Sequence, residues 1–312
     1  MISIIITSWK EPNTIAKCIR SIADRKYSGL DREFEILQLS PDKETLFAGA
    51  KEVKRLKLTN LEYIQIQDPK KGKPYALKMA IQKAKGDILI FTDGDTYFGK
   101  GAVKFLLDPF NDKDIDGVSG RPVSNDKRDN IFGYWGHLLS DSGHHRRCKQ
   151  MVKQDKKEYY KSDKTFFPMS GYIMATRKLT FSIPNDVLSD DAYISYSIRN
   201  QRKEIAYAPN ATCYVKYPKT IKDYYKQKVR SLGGFIQLKQ YGVFKKDRQS
   251  RSIFIELPYA LFVLSYAKNL KEFIWSLALF PTRLLTWLKI YWERIIVKKD
   301  FSKTWVRIES TK

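Results

Sequence analysis

The chain has 312 residues, of which 43% are hydrophobic, and it carries a formal net charge of +23. This length and apolar content allow a substantial core and exclude a disordered chain, because burial of apolar surface must offset the entropy of folding. The positive charge predicts anionic partners, namely phosphates, anionic lipid or nucleic acid.

The first 122 residues alternate short apolar, β-branched runs with helical patterns. This alternation predicts an α/β fold with a mostly parallel sheet flanked by helices. Asn13 and Asp42 are suited to cap the first two helices. The predicted strands are residues 2–7, 33–39, 61–67, 87–92 and 115–118, and the predicted helices are residues 13–23, 42–56, 74–84 and 100–110.

Two features of the sequence favour the cytosol. The apolar run at the start lacks a cationic segment and a small-residue cleavage site, so we interpret it as a buried strand. The three cysteines, Cys18, Cys148 and Cys213, are far apart and show no paired spacing, which is typical of a reducing compartment.

The second half begins with a polar stretch at residues 124–164, interpreted as an insertion or a subdomain, with a helix at 131–139. Order is predicted to resume at 169–176, followed by a helix at 190–200, a strand at 205–208 and a helix at 220–241. We therefore predict one domain over residues 1–241, with a first half at 1–122 and a second half at 123–241.

Residues 252–298 form a separate apolar and amphipathic region that is predicted to be helical. Its tryptophans and flanking lysines are typical of a membrane interface, where aromatic rings sit at headgroup depth and basic side chains meet anionic lipid. The region predicts attachment to an anionic membrane surface, either in the plane of the interface or with one or two inserted helices. The alternative is an ordinary buried helical hairpin.

The sharpest chemical signal is Asp93-Gly94-Asp95, which follows the apolar run at 88–92. Two carboxylates at the carboxyl end of a parallel strand face the crevice of the sheet in which α/β proteins bind their ligands. Together with a nucleotide diphosphate they can hold Mg²⁺ or Mn²⁺. The alternative is a simple turn after a strand.

A second carboxylate pair, Asp190 and Asp191, opens a predicted helix. One of them can act as a general base that takes the proton from a hydroxyl group. The alternative is that Ser189 or Asp190 only caps the helix.

Two further signals lie on predicted helices. Gln227 and Arg230 share one helix face and can converge on a phosphate, the alternative being a solvated basic surface. His137, His144, His145 and Cys148 lie close in sequence, but their spacing matches no standard zinc site.

In combination, these elements resemble the family 2 glycosyltransferases of the GT-A (Rossmann-like) fold, which include cellulose-, chitin- and hyaluronan-synthase-like enzymes and polyprenyl-phosphate sugar transferases. The resemblance runs from Ile2 to about Leu232 and begins with Ile-Ile-Ile-Thr-Ser-Trp-Lys-Glu at residues 4–11. It implies that Ser8, Trp9 and Glu11 bind the base and ribose of the donor.

The resemblance also assigns the later motifs. Lys73, in Lys71-Gly-Lys-Pro-Tyr, is similar to the family's Gly-Lys segment next to the donor. Gly171 lies in a loop similar to the one under the acceptor, and Asp190 is likewise assigned to acceptor binding. Asp191 stands where the family has its base. The implied enzyme inverts the sugar of a nucleoside-diphosphate donor, which is expected to be a UDP-sugar, with Mg²⁺ or Mn²⁺ at Asp93 and Asp95. The resemblance makes residues 1–122 the donor half of the domain and residues 123–241 the acceptor half, with the polar stretch on the acceptor side.

Two departures bear on the substrates. Ser40 stands where many members carry an aspartate that contacts uracil, so Ser40 becomes the corresponding donor-side residue. Ser231 replaces the tryptophan of the processive Gln-x-x-Arg-Trp motif, which favours a single transfer to a lipid-linked or membrane-proximal glycan acceptor at the cytoplasmic face of a membrane.

Two other functional classes remain as alternatives. The net charge also fits a basic nucleic-acid-binding protein, although no specific nucleic acid is expected. A catalytically inactive sugar-binding scaffold would keep the fold without the chemistry.

Overall fold

The computed structural model of the chain describes residues 1–30, 32–162, 167–243, 259–297 and 309–311. Within these residues ten strands form one sheet. The strands are β1 (Ile2–Thr7), β2 (Phe34–Ser40), β3 (Leu61–Gln67), β4 (Ile88–Asp93), β5 (Tyr97–Phe98), β6 (Ile115–Ser124), β7 (Val152–Lys153), β8 (Tyr160–Lys161), β9 (Met174–Arg177) and β10 (Glu204–Val215).

The sheet order is β3-β2-β1-β4-β9-β6-β10-β8-β7, and β5 pairs with β10. The first four strands in this order are parallel, as are β6 and β10. However, β9 runs antiparallel to both of its neighbours, β4 and β6. The α/β fold is confirmed, but the sheet is mixed instead of mostly parallel.

The position of β9 joins the two predicted halves of the domain. It comes from the acceptor half but lies between β4 and β6, which both belong largely to residues 1–122. The two predicted halves therefore share one continuous sheet.

Helices cover the sheet and account for most of the predicted helical patterns. They are α1 (Pro12–Ala23), α2 (Arg25–Ser28), α3 (Lys43–Leu56), α4 (Lys73–Lys83), α5 (Ala102–Leu107), α6 (Ile131–Gln150), α7 (Asp190–Asn200), α8 (Ile221–Gln240), α9 (Ala260–Ser265) and α10 (Leu270–Ile295).

Strand β1 builds core on both faces of the sheet, because successive side chains of a strand point to opposite sides. Ile4 and Ile6 join a cluster that contains Ile19 of α1. Ile5 joins a second cluster that contains Leu77 of α4. Burial on both faces explains the unbroken apolar run of β1.

The two predicted helix caps have different outcomes. Asp42 caps α3, because its side chain accepts a hydrogen bond from the amide of Thr45 at 2.9 Å. The prediction for Asn13 is wrong, since α1 already begins at Pro12 and Glu11 occupies the cap position. Proline suits the first helical position, where its missing N–H has no partner to lose.

The predicted membrane region is described only in part, because residues 252–258 and 298 lie outside the described residues. Helices α9 and α10 cover most of the rest, and α10 packs against α6 and α8. No helix in the described part of the chain has the length and apolar content needed to cross a bilayer.

Candidate active site

A cleft of about 1470 Å³ opens at the carboxyl ends of the parallel strands β1, β2 and β4. Residues that follow parallel strands meet at one edge of the sheet, where α/β proteins bind their ligands. Of the twelve predicted site residues, Ser40 alone does not line this cleft. The other eleven are Ser8, Trp9, Glu11, Lys73, Asp93, Asp95, Gly171, Asp190, Asp191, Gln227 and Arg230.

The turn that carries Asp93 and Asp95 is held tightly against β1. Thr7 lies opposite Asp93 in the sheet and its hydroxyl donates to Asp93 Oδ1 at 2.9 Å. A Cβ on Gly94 would lie only 2.6 Å from Glu11 Oε2. The same Cβ would lie 2.8 Å from Ser8 Cβ, so any larger residue between the two carboxylates would force Ser8 and Glu11 to shift. Both carboxylates line the cleft.

The ammonium of Lys73 joins the two carboxylate pairs. Its Nζ lies 2.8 Å from Asp93 Oδ1 and 3.7 Å from Asp190 Oδ2. Burial alone would lower the pKa of Lys73, but the charges of Asp190 and Asp93 outweigh it and raise that pKa. Burial raises the pKa of the Asp190 carboxyl, while the charge of Lys73 opposes this shift. Lys73 consequently carries a positive charge at neutral pH, between acidic groups about a hundred residues apart in sequence.

The Asp191 carboxylate is fixed at the start of α7 by three donors. The Ser189 hydroxyl and the Ala192 amide donate to Oδ1 at 2.7 and 2.8 Å, and the Gly171 amide donates to Oδ2 at 3.2 Å. Ser189 makes no side-chain capping bond to the helix, and the Asp190 side chain pairs with Lys73 instead. The alternative that Ser189 or Asp190 only caps α7 is therefore not supported.

Helix α8 brings Gln227 and Arg230 to the cleft. Gln227 Nε2 lies 3.5 Å from the hydroxyl of Tyr172, the residue after Gly171. The helix thus faces the predicted acceptor loop, and these two side chains do not belong to a purely solvated basic surface.

The acidic side chains fit a hard divalent cation. Within the described residues, no three His, Cys, Asp or Glu side chains form a complete metal site. Asp93 and Asp95 nevertheless offer carboxylate oxygens on the cleft wall, the donor type that Mg²⁺ and Mn²⁺ prefer. A bound diphosphate would supply the further oxygens that this partial site needs.

The sequence matches the family described as "Glycosyltransferase like family 2" over residues 1–234, three quarters of the chain. The chain belongs to this family. The resemblance drawn from the motifs is thereby confirmed, and the glycosyltransferase class takes precedence over a nucleic-acid-binding protein.

Several named proteins are similar to this family 2 glycosyltransferase. An N-acetylglucosaminyltransferase from Bradyrhizobium elkanii is 25% identical over 130 residues, which are 41% of this chain and 69% of the relative. The solved mannosyltransferase PcManGT from Pyrobaculum calidifontis, in complex with GDP-Man and Mn²⁺, has a TM-score of 0.60 at 17% identity and covers 96% of this chain and 88% of its own.

A second solved structure, GalNAc-T7 with UDP, GalNAc and Mn²⁺, has a TM-score of 0.50 at 16% identity and covers 69% of this chain and 43% of its own. At these identities the likeness concerns the fold alone, which is that of the GT-A glycosyltransferases. Both solved relatives contain Mn²⁺ and a nucleotide.

Ser40 of the glycosyltransferase has a structural position instead of the predicted place at the donor. Its side chain is fully buried, and its hydroxyl donates to Asp42 Oδ2 at 2.9 Å. Because Asp42 caps α3, Ser40 supports the turn that leads into that helix. Its carbonyl accepts a hydrogen bond from the amide of Asp68 at 3.2 Å, which connects the ends of β2 and β3.

Asp68 lines the cleft although the sequence analysis missed it. It follows β3 directly, its side chain is 9% exposed, and burial raises the pKa of its carboxyl. The nearby Lys70 ammonium lies 5.3 Å from the centre of the Trp9 ring. The sequence did contain a signal for Asp68, because it is an acidic residue that follows a predicted strand shortly before the Gly-Lys segment. The same argument identified Asp93 and Asp95.

Proposed function

We propose that this family 2 glycosyltransferase transfers one hexosyl or N-acetylhexosaminyl group, with inversion, from a nucleoside-diphosphate sugar to a lipid-linked or membrane-proximal glycan acceptor. UDP is the first candidate nucleotide. The observation that carries the proposal is the meeting of Asp93 and Asp95 with Asp190 and Asp191 in one cleft, where the Lys73 ammonium bridges Asp93 and Asp190.

The donor would lie along the ends of β1 and β4. Trp9 offers an aromatic face for the base. The positive charges of Lys73 and Arg230 favour a diphosphate between the two halves of the cleft. Asp93 and Asp95 would hold a divalent cation, which supplies Lewis-acid stabilisation to the departing diphosphate.

The transfer itself is a single displacement. Asp191 accepts the proton of an acceptor hydroxyl, and that oxygen forms a bond to the anomeric carbon on the face opposite the diphosphate. The bond from the anomeric carbon to the diphosphate oxygen breaks, and the diphosphate leaves with the electron pair. Because one bond forms as one breaks from opposite faces, the configuration of the sugar inverts.

The acceptor and the location belong to the same proposal. Ser231 occupies the place of the tryptophan in the processive motif, which favours a single addition. The cytoplasmic face of a membrane would combine an anionic surface with a supply of nucleotide sugars. Cys18, Cys148 and Cys213 are all free thiols, which supports a reducing compartment.

The proposal is tested with a panel of nucleotide sugars, Mn²⁺ and a membrane extract, with diphosphate release as the readout. We expect one UDP-sugar to be preferred, and a chelator to abolish turnover. Asp95→Asn should lower turnover by about a hundredfold or more, because a metal ligand is lost. Asp87→Asn, at the exposed opposite end of β4, is the matched control and should retain activity. The absence of any preferred donor, or full activity of Asp95→Asn, would contradict the assignment.

Asp68 provides a separate prediction about donor recognition. A carboxylate at the end of β3, beside Trp9, can accept a hydrogen bond from a base N–H. We expect Asp68→Asn to raise the KM for the donor about tenfold with little change in kcat, because a charge-assisted hydrogen bond to the ground state is weakened. Glu62→Gln, an exposed position on the same strand, should leave both constants unchanged. An unaltered KM in Asp68→Asn would remove Asp68 from the donor site.

A further inference from the structure

The outward face of α10 is an apolar stripe. Among the described residues, ten large apolar or aromatic side chains of this helix are exposed, by 37% at the least for Phe280 and 74% at the most for Leu270. Their spacing of three or four residues places them on one face. The stripe consists of Leu270, Phe273, Ile274, Leu277, Phe280, Leu284, Leu285, Leu288, Tyr291 and Trp292. A water-facing surface rarely carries an apolar patch this long, so the stripe marks an interaction site.

The opposite face of α10 is firmly attached to the rest of the protein. Glu272 forms an ion pair with Arg128 at 2.7 Å, and Ser276 forms a hydrogen bond with the Tyr134 hydroxyl at 2.6 Å. Further along, Ile290 is fully buried against α8 residues. These contacts fix which face of the helix points outward, and the alternative of a buried hairpin is not supported.

Basic side chains border the stripe. Lys271 and Lys289 are both exposed and lie 18 residues apart, which is five helical turns, so they lie on the same flank. The Lys271 ammonium lies 4.8 Å from the centre of the Trp275 ring. Lysines beside an apolar helix face can extend their charge to anionic headgroups while their stems cover apolar surface. The net charge of +23 adds a long-range attraction to such a surface.

The cleft reaches the stripe. Phe280 and Leu284 belong to the exposed stripe and also line the cleft that contains Asp191. Arg283 lines the cleft beside them. A substrate could therefore extend from the acidic groups to the outer surface of α10 without leaving the cleft. Its apolar part would meet Phe280 and Leu284.

We infer that α10 lies in the plane of an anionic membrane with its stripe among the lipid chains, and that the cleft opens onto this membrane at Phe280 and Leu284. The hydrocarbon part of the acceptor then enters the cleft from the bilayer, a step that rests on the proposed function. The partner that covers the stripe is lipid, at the boundary between headgroups and acyl chains. A helix with one apolar face, a basic flank and aromatic residues near its end matches that environment.

The docking is tested by flotation of the full chain with phosphatidylcholine vesicles that contain phosphatidylglycerol. Leu277 and Leu288 belong to the stripe but do not line the cleft. We expect Leu277→Glu/Leu288→Glu to lower vesicle partitioning about a hundredfold, because two leucine side chains that would be buried among lipid chains are replaced by charged ones. Phe47→Glu is the matched control, since Phe47 is 73% exposed on the distant α3, and it should bind as the wild type does.

A second variant tests the same surface without placing charge in the stripe. Lys271→Gln/Lys289→Gln should bind the mixed vesicles at least about tenfold less tightly than the wild type does. The difference in affinity between this variant and the wild type should be smallest on vesicles of phosphatidylcholine alone. UDP affinity, measured without vesicles, should be equal in all these proteins. That measurement separates the docking from donor binding, because a lack of UDP affinity in the wild type would count against the proposed function alone.

Three results would overturn the inference. The first is a wild type that does not float with the mixed vesicles. The second is equal binding by the wild type and both double variants. The third is a lipid-free dimer, seen by light scattering, that the substitutions at Leu277 and Leu288 dissociate, since a second copy of the chain would then cover the stripe.

Discussion

Asp191→Asn is expected to lower kcat by about a hundredfold to ten-thousandfold, the usual contribution of a general base. Asparagine keeps the size of the side chain and an oxygen that can accept from the Gly171 amide. It cannot take up the acceptor proton. UDP affinity should therefore remain close to that of the wild type, because the change acts on the transfer step.

The measurement is single-turnover diphosphate release with a preferred donor, together with UDP titration. Asp186→Asn is the matched control, since Asp186 is an exposed carboxylate a few residues before α7, and its kcat should not change. Full transfer activity in Asp191→Asn would end the assignment of the base. Inactivity of the wild type on every donor and acceptor would instead favour the sugar-binding scaffold.

Lys73→Met is expected to have the second large effect, on stability as well as on activity. The substitution removes the ammonium between Asp93 and Asp190, whose side chains are only 27% and 13% exposed. Breaking a buried ion pair by removal of one partner commonly costs about 3–5 kcal/mol of folding free energy, because the remaining charges stay buried without compensation. Denaturant unfolding measures this loss.

The loss should depend on pH in a defined direction. Without Lys73, the Asp190 carboxyl holds its proton more tightly in the folded than in the unfolded protein, because burial and the charges of Asp191 and Asp93 raise its folded pKa. A raised carboxyl pKa favours the folded state at low pH, and this benefit is lost as pH rises above the unfolded pKa of about 3.9. The gap between variant and wild type should hence widen from pH 5 to pH 8.

Lys83→Met supplies the control for this measurement. Lys83 lies in the last turn of the same helix, α4, and is exposed. Its replacement should change stability by no more than about 0.5 kcal/mol at any of these pH values. A Lys73→Met protein as stable as Lys83→Met would show that the ammonium does not hold the acidic pairs together.

The sequence predicted the parts of the fold that local pattern determines. Strands β1 and β3 have their predicted bounds, and α7 begins and ends where the pattern indicated. Burial on both faces of β1 and strong helical periodicity leave a clear local signal. The short strand β9 has no such signal, because it is formed by pairing with strands distant in sequence.

Helix α6 shows how tertiary contacts override local pattern. Its predicted part ends at residue 139, but the helix continues to Gln150. Arg146 and Arg147 in the added part are each only 7% exposed, and both guanidinium groups lie over the ring of Phe167. Contacts of this kind stabilise a buried helix in a basic stretch of sequence. They cannot be predicted from the sequence of that stretch alone.

The site could be predicted where a motif ends a strand or opens a helix. Asp93, Asp95 and Asp191 are of this kind, and all three line the cleft. Ser40 was misplaced because its hydroxyl serves the Asp42 cap, a contact that depends on the conformation of the turn. The role of Lys73 as the shared counter-charge depends on distances between segments that sequence does not record.

The place of β9 in the sheet has a consequence for the order in which the molecule is completed. Strands β1 to β4 are made within the first 93 residues, but the outer edge of β4 has no neighbour until Met174–Arg177 has been synthesised. An uncovered strand edge invites pairing with other chains. The growing polypeptide therefore has an exposed edge on β4 until β9 is made. Asp190 and Asp191, which line the cleft, come later in the chain than β9, so this edge is covered before the cleft is complete.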